Sequence, residues 1–183
     1  TFSEARSGSG SLTQLGAGTL IITGANTYSG TTSISQGTLA LSGAGSLASS
    51  SHVIVDGTLD ISATNGTSIQ SLSGSGSVLL GSETLSIIAA SDSFSGIISG
   101  TGGIVLNGGT EILTGANTYS GPTIVNAGTL ELGAASITND ITDNGTVGFE
   151  SSSGTVMSGV ISGSGNLSQL GGTTTITANQ AFT

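Results

Sequence analysis

The chain repeats itself without a gap. Residues 18–41 read GTLIITGANTYSGTTSISQGTLAL and residues 109–132 read GTEILTGANTYSGPTIVNAGTLEL, an offset of 91 residues. Such self-similarity marks a chain built from stacked units: one unit cannot bury its apolar side alone, and its neighbours complete the core. Four segments open G-[ST]-G, at Gly8, Gly74, Gly100 and Gly163, separated by 66, 26 and 63 residues. If the shortest interval is one turn and the others are three, a turn holds about 22 residues and the chain about eight turns.

Aligned on those openings, apolar residues fall into columns. Leu12, Val78, Ile104 and Leu167 form one, Ile21, Ile87, Ile112 and Ile176 a second, and Tyr28, Phe94 and Tyr119 a third, loosely joined by Met157. Leu39 and Leu41 match Leu130 and Leu132. Strand alternation sends Leu59 and Ile61 of GTLDI, and Leu130 and Leu132 of GTLEL, to an inner face, with Asp60 and Glu131 outside. GTLII alone would put Leu20 and Ile22 inside, but the equivalent of Leu20 is Glu111. An unpaired buried carboxylate costs several kcal/mol, so Ile21 and Ile112 are expected inside, and Leu20, Ile22 and Leu113 outside or near a corner.

No segment shows a capped 3.6-residue period. Short strands alternate with Gly-, Asn- and Asp-containing turns, which accept φ > 0 or form side-chain turns. Gly24, Asn26 and Gly30 in the first copy, and Gly115, Asn117 and Gly121 in the second, read as turn residues. Pro122 belongs at a turn or strand edge; residues 89–92 and 150–154 read as irregular loops. The expected fold is all-β: a right-handed single-stranded parallel β-helix of about eight turns of about 22 residues, with three short strands per turn. A β-sandwich or barrel also uses many short strands, but the aligned columns favour the solenoid. Residues 1–183 read as one continuous segment. With no initiator Met and a stop in mid-pattern, it is expected to be part of a longer chain.

Charge narrows the partners. Arg6 and His52 are the only basic side chains, against 10 acidic ones, for a net charge of -9. Nucleic acid and anionic lipid both demand basic groups and are not expected partners. There is no Cys, so neither disulfides nor thiolate metal sites can form. No apolar run is long enough for a membrane-spanning helix, and no direct membrane insertion is expected.

Chemistry-bearing patterns are sparse. A nucleophilic site would have to use His52, with Ser51 and Asp56 nearest in sequence; a solvent-facing His at a strand start is the plainer reading. Asp56 with Asp60, and Asp140 with Asp143, are the carboxylate pairs a glycosidase would need; the plainer reading makes Asp56 and Asp143 turn residues. Asn139, Asp140, Asp143 and Asn144 are the densest oxygen cluster for calcium, without a known loop pattern, and read better as a turn. Residues 65–67, 144–146 and 166–168 match the N-glycosylation acceptor pattern, which is read as coincidence. No catalytic residue, metal site or cofactor is assigned.

The two long copies resemble the autotransporter-associated β-strand repeat of type V secreted passenger domains, and the G-[ST]-G segments extend the likeness over most of the chain. The resemblance implies a right-handed parallel β-helix, a cell-surface location reached through the bacterial outer membrane, and a C-terminal translocator barrel outside this segment. It also implies a non-catalytic surface stalk supporting adhesion or cell–cell aggregation, with self-association or a host surface protein or glycan as partners. The alternative is a polysaccharide-processing β-helix enzyme.

Overall fold

The computed structural model describes residues 1–133, 136–152 and 154–183. Among the described residues there is no helix; 24 short strands run in chain order, each of 2 to 6 residues. All paired strands are parallel, and each pairs with strands about 17 to 21 residues away rather than with its immediate neighbour. The chain therefore winds as a β-solenoid of about nine coils, about 19 residues apart. At the usual interstrand spacing this makes a rod roughly 43 Å long.

Each coil has three walls. The first runs from Leu12–Gln14 through Thr32–Ile34, Val53–Val55 and Leu72–Ser73. A bridge between Gly74 and Phe94 carries it on to Ser93–Phe94, Thr110–Leu113, Thr129–Leu132, Thr146–Glu150 and Asn166–Gly171. The second begins Thr19–Ile22, Thr38–Ser42, Thr58–Ala63, Ser77–Gly81 and Ile97–Gly100, passes through residues 117–120, and ends in Ser136–Ile137, Thr155–Met157 and Thr174–Ile176. The third starts with the Ala25–Ser46 bridge. It continues from Thr67–Ile69 through Leu85–Ile87, Ile104–Leu106, Thr123–Val125, Ile141–Asp143 and Ile161–Gly163 to Ala181–Phe182.

Alternation aims one side of every wall at a narrow apolar interior. Leu39, Leu41, Leu59, Ile61, Leu130 and Leu132 are buried there, as are Val78, Ile87 and Ile104. A fully buried side chain of this size contributes about 1.5–3 kcal/mol, and the ladders pair the backbone groups between coils.

The coil is shorter than the sequence spacing suggests, and there are more coils. The G-[ST]-G openings are not equivalent positions: Gly74 lies on the first wall, bridged to Phe94, whereas Gly100 pairs with Gly81 on the second. The interval between them is one coil plus one wall. The 91-residue offset is likewise five coils less one wall: Ile21 belongs to the second wall and Ile112 to the first.

The three expected columns dissolve for the same reason. Leu12 and Leu167 stand on the first wall, Val78 on the second and Ile104 on the third. Ile87 stands on the third wall and Ile176 on the second. Tyr28, Phe94 and Tyr119 are all buried, but each belongs to a different place around the coil and none stacks on another. Leu12 is only partly buried, and Leu167 and Ile176 are exposed in the last coil, which has a neighbour on one side.

The pleat of the repeated strand is also the reverse of that expected. Ile21 is 36% exposed and Ile22 1%; Ile112 faces outward while Glu111 and Leu113 are fully buried. Ile22 pairs with Leu41, and Leu113 with Leu132. These apolar pairs set the pleat, and Glu111 is carried inward with it.

Candidate functional site

The phrase GANTYSG, present at residues 24–30 and 115–121, builds a corner. Asn117 accepts the Ile98 backbone N–H on its Oδ1 at 2.8 Å, and Asn26 accepts that of Arg6 at 2.9 Å. In both copies a side-chain oxygen thus stands in for a ladder carbonyl where the backbone swings round the corner. Two residues on, the tyrosine turns inward and shares a hydrogen bond with a threonine: Tyr28 with Thr32 at 2.6 Å, Tyr119 with Thr123 at 2.8 Å. Gly24, Gly30, Gly115 and Gly121 lie at bends with ordinary φ. What requires glycine is proximity: a Cβ on Gly115 would run into the Gly96 carbonyl oxygen, and one on Gly121 into that of Gly102.

A polar seam lies on the first wall. Ser71 donates to Asp92 Oδ2 at 2.6 Å, and the same oxygen lies 3.7 Å from His52 Nε2. The Ser91 N–H donates to Ser71 Oγ at 3.0 Å. His52 therefore finds Asp92, two coils away, rather than Asp56. The order is not that of a nucleophile, base and orienting acid, in which the imidazole sits between the other two. Here the carboxylate takes both partners, and the Ser71 hydroxyl points to an acid, not to a base.

Next to Asp92 in the ladder stands Glu111, completely buried, with neither carboxyl oxygen hydrogen-bonded. Loss of solvent raises its pKa to about 9; the Leu72 backbone N–H opposes the rise, and the Asp92 carboxylate makes a smaller addition to it. Burial thus favours the neutral acid at Glu111. Sequence reasoning recognised its cost as an ion but not this way of avoiding it.

The other carboxylates disperse. Asp56 accepts from Ser75, and Asp60 from Ser62. Asp140 accepts the Val160 N–H, and Asn139 donates to Gly121 O and Thr123 Oγ1. Asp143, read as a turn residue, does accept the Gly145 N–H on its Oδ1 at 2.9 Å, and it is also fully buried in the third-wall column of Ile87, Leu106 and Val125. Its carboxyl fills the space left by Gly165, and burial raises its pKa while the Gly145 and Val147 N–H groups oppose the rise. With Asp143 inward and Asn144 exposed, the oxygen-rich segment does not converge on a point. No group of three potential metal-ligating side chains occurs among the described residues.

An open groove of about 500 Å³ crosses three coils, lined by Gly43, Ser46, Asn65, Ser68, Thr84 and Ser86 among others. Its polar lining is hydroxyl and amide, without a charged group.

Fold and surface together define a slender, acidic parallel β-solenoid. The family model of the passenger-associated transport repeat matches residues 12–41 and 106–132. The adhesin BmaC autotransporter of Brucella suis biovar 1 (strain 1330) is 40% identical over 142 residues, which are 72% of this chain and 4% of the relative. The chain thus spans a small fraction of the length of that protein. No solved structure matches it. The chain belongs to the autotransporter passenger domains and carries their transport-associated repeat. That identity places it at the cell surface, reached through the outer membrane.

Proposed function

We propose that this segment is a non-catalytic stalk that holds an adhesive part of the passenger away from the cell, with a C-terminal translocator barrel elsewhere in the same chain. The inward placement of Ile22 and Leu113 carries this reading. Had those residues and Leu20 faced out, the second and first walls would each have exposed bulky apolar side chains, which would favour direct cell–cell association. Leu20 is partly buried against the core; of the exposed apolar residues, Ile21, Leu79, Ile97 and Val156 stand on the second wall and Ile88 follows a third-wall strand, and in the outward row of the second wall Ala40 and Asp60 separate Ile21 from Leu79. Between them the second wall presents the hydroxyl row Thr19, Thr38, Thr58 and Ser77. The relative's description as an adhesin supports a role in adhesion for the whole passenger. Dispersal of the carboxylates supports a non-enzymatic role.

The test is to delete residues 1–183 from the full passenger, and separately to replace them with an unrelated β-solenoid of equal coil number. A spacer predicts reduced surface binding and cell settling on deletion, and recovery with the foreign rod. Recovery only with the native segment would show that it contacts the target itself.

A further inference from the structure

We propose that the sixth coil closes only around a neutral Glu111, so that the rod carries a proton-dependent latch between Asp92 and Leu130. The ladder puts these three residues in one inward column, Glu111 pairing with Leu130 in the next coil and lying beside Asp92 in the previous one. Neither oxygen of Glu111 makes a well-formed hydrogen bond, although the nearby Leu72 backbone N–H favours the charged form, and Asp92 has partners of its own, Ser71 and His52. No cation faces the carboxyl from the adjoining coils. Asp92 is a like charge, with His52 beyond it, and the seventh coil presents Leu130. The remaining ionisable group buried in the sixth coil is Tyr119, whose hydroxyl is held by Thr123. Glu131, on the adjacent strand, lies in the outward row with Ile112.

An unfolded chain in neutral medium carries Glu111 as a carboxylate, so closing this coil takes up a proton. Latch stability is fully present below the ordinary Glu pKa, 4.5, and is lost as the pH rises to about 9. Within that window the unfolding constant rises by up to about tenfold per pH unit from this group alone. The first copy has Leu20 at the matching position and carries no such latch.

The test uses the 183-residue chain, its E111Q, E111L and D92N variants, and urea unfolding followed by circular dichroism between pH 5 and 9. E111Q and E111L should take up about one proton fewer on folding than the parent. D92N should fall between, because it removes the like charge but leaves burial. NMR of carboxyl-labelled glutamate should show one signal, absent from E111Q, that stays protonated at pH 7. Proton uptake unchanged in both Glu111 variants, or a signal for Glu111 titrating in the ordinary carboxylate range, would overturn the proposal.

Discussion

Asn26 and Asn117 occupy the same place in two copies of one motif and make the same hydrogen bond on different walls. Asn26 completes the ladder to Arg6 on the third wall; Asn117 completes it to Ile98 on the second. The motif encodes a corner and its flanking strands, independent of which side of the rod they fall on.

Removing the stand-in acceptor therefore exposes its value. Asn117→Ala leaves the Ile98 N–H without its partner and should cost about 1–3 kcal/mol. Asn117→Asp retains an acceptor and should cost less. Chemical denaturation of both variants checks the order; equal losses would show that the amide NH2, not the oxygen, matters.

The pleat predicts a sharp contrast between neighbours. Ile21→Ser should change stability by no more than about 0.5 kcal/mol, whereas Ile22→Ser should cost about 2–5 kcal/mol. The same urea titration decides it, and a reversed order would restore the pleat that Glu111 suggests from sequence.

Close approach makes a similar contrast among glycines. Gly18 has open space where a side chain would stand, and Gly18→Ala should be nearly neutral. Gly115→Ala would force the sixth coil off the Gly96 carbonyl and should abolish cooperative unfolding or shift its midpoint strongly down. Circular dichroism and proteolysis rates give the readout.

Asp143 should add a second component of stability that weakens as the pH rises. Its folded pKa lies above its ordinary 3.8, so its contribution is complete below that pH and is lost as the pH rises through the folded value. Asp143→Asn should flatten that part of the stability profile and leave the part due to Glu111. Unfolding curves between pH 3 and 8 measure the difference.

Strand content, the three-walled coil and the inner faces of GTLDI and GTLEL were legible because period-2 alternation and glycine punctuation are local signals. Phase around the rod was not: the intervals in sequence are not whole coils, so aligning Gly74 with Gly100 set different walls on top of one another. The pleat at Glu111 was misread because carboxylate desolvation was weighed without allowing the group to take a proton. The seam of His52, Ser71 and Asp92 joins residues from three different coils. It could be found only once the true coil length placed them side by side.

Because duplicate units start a third of a turn apart, whatever decorates the repeat advances like the stripe on a barber's pole. Neighbouring copies face different compass points, and no single flank accumulates all of them. A filament grown by such duplication presents similar scenery to approaching surfaces whatever its rotation about the long axis.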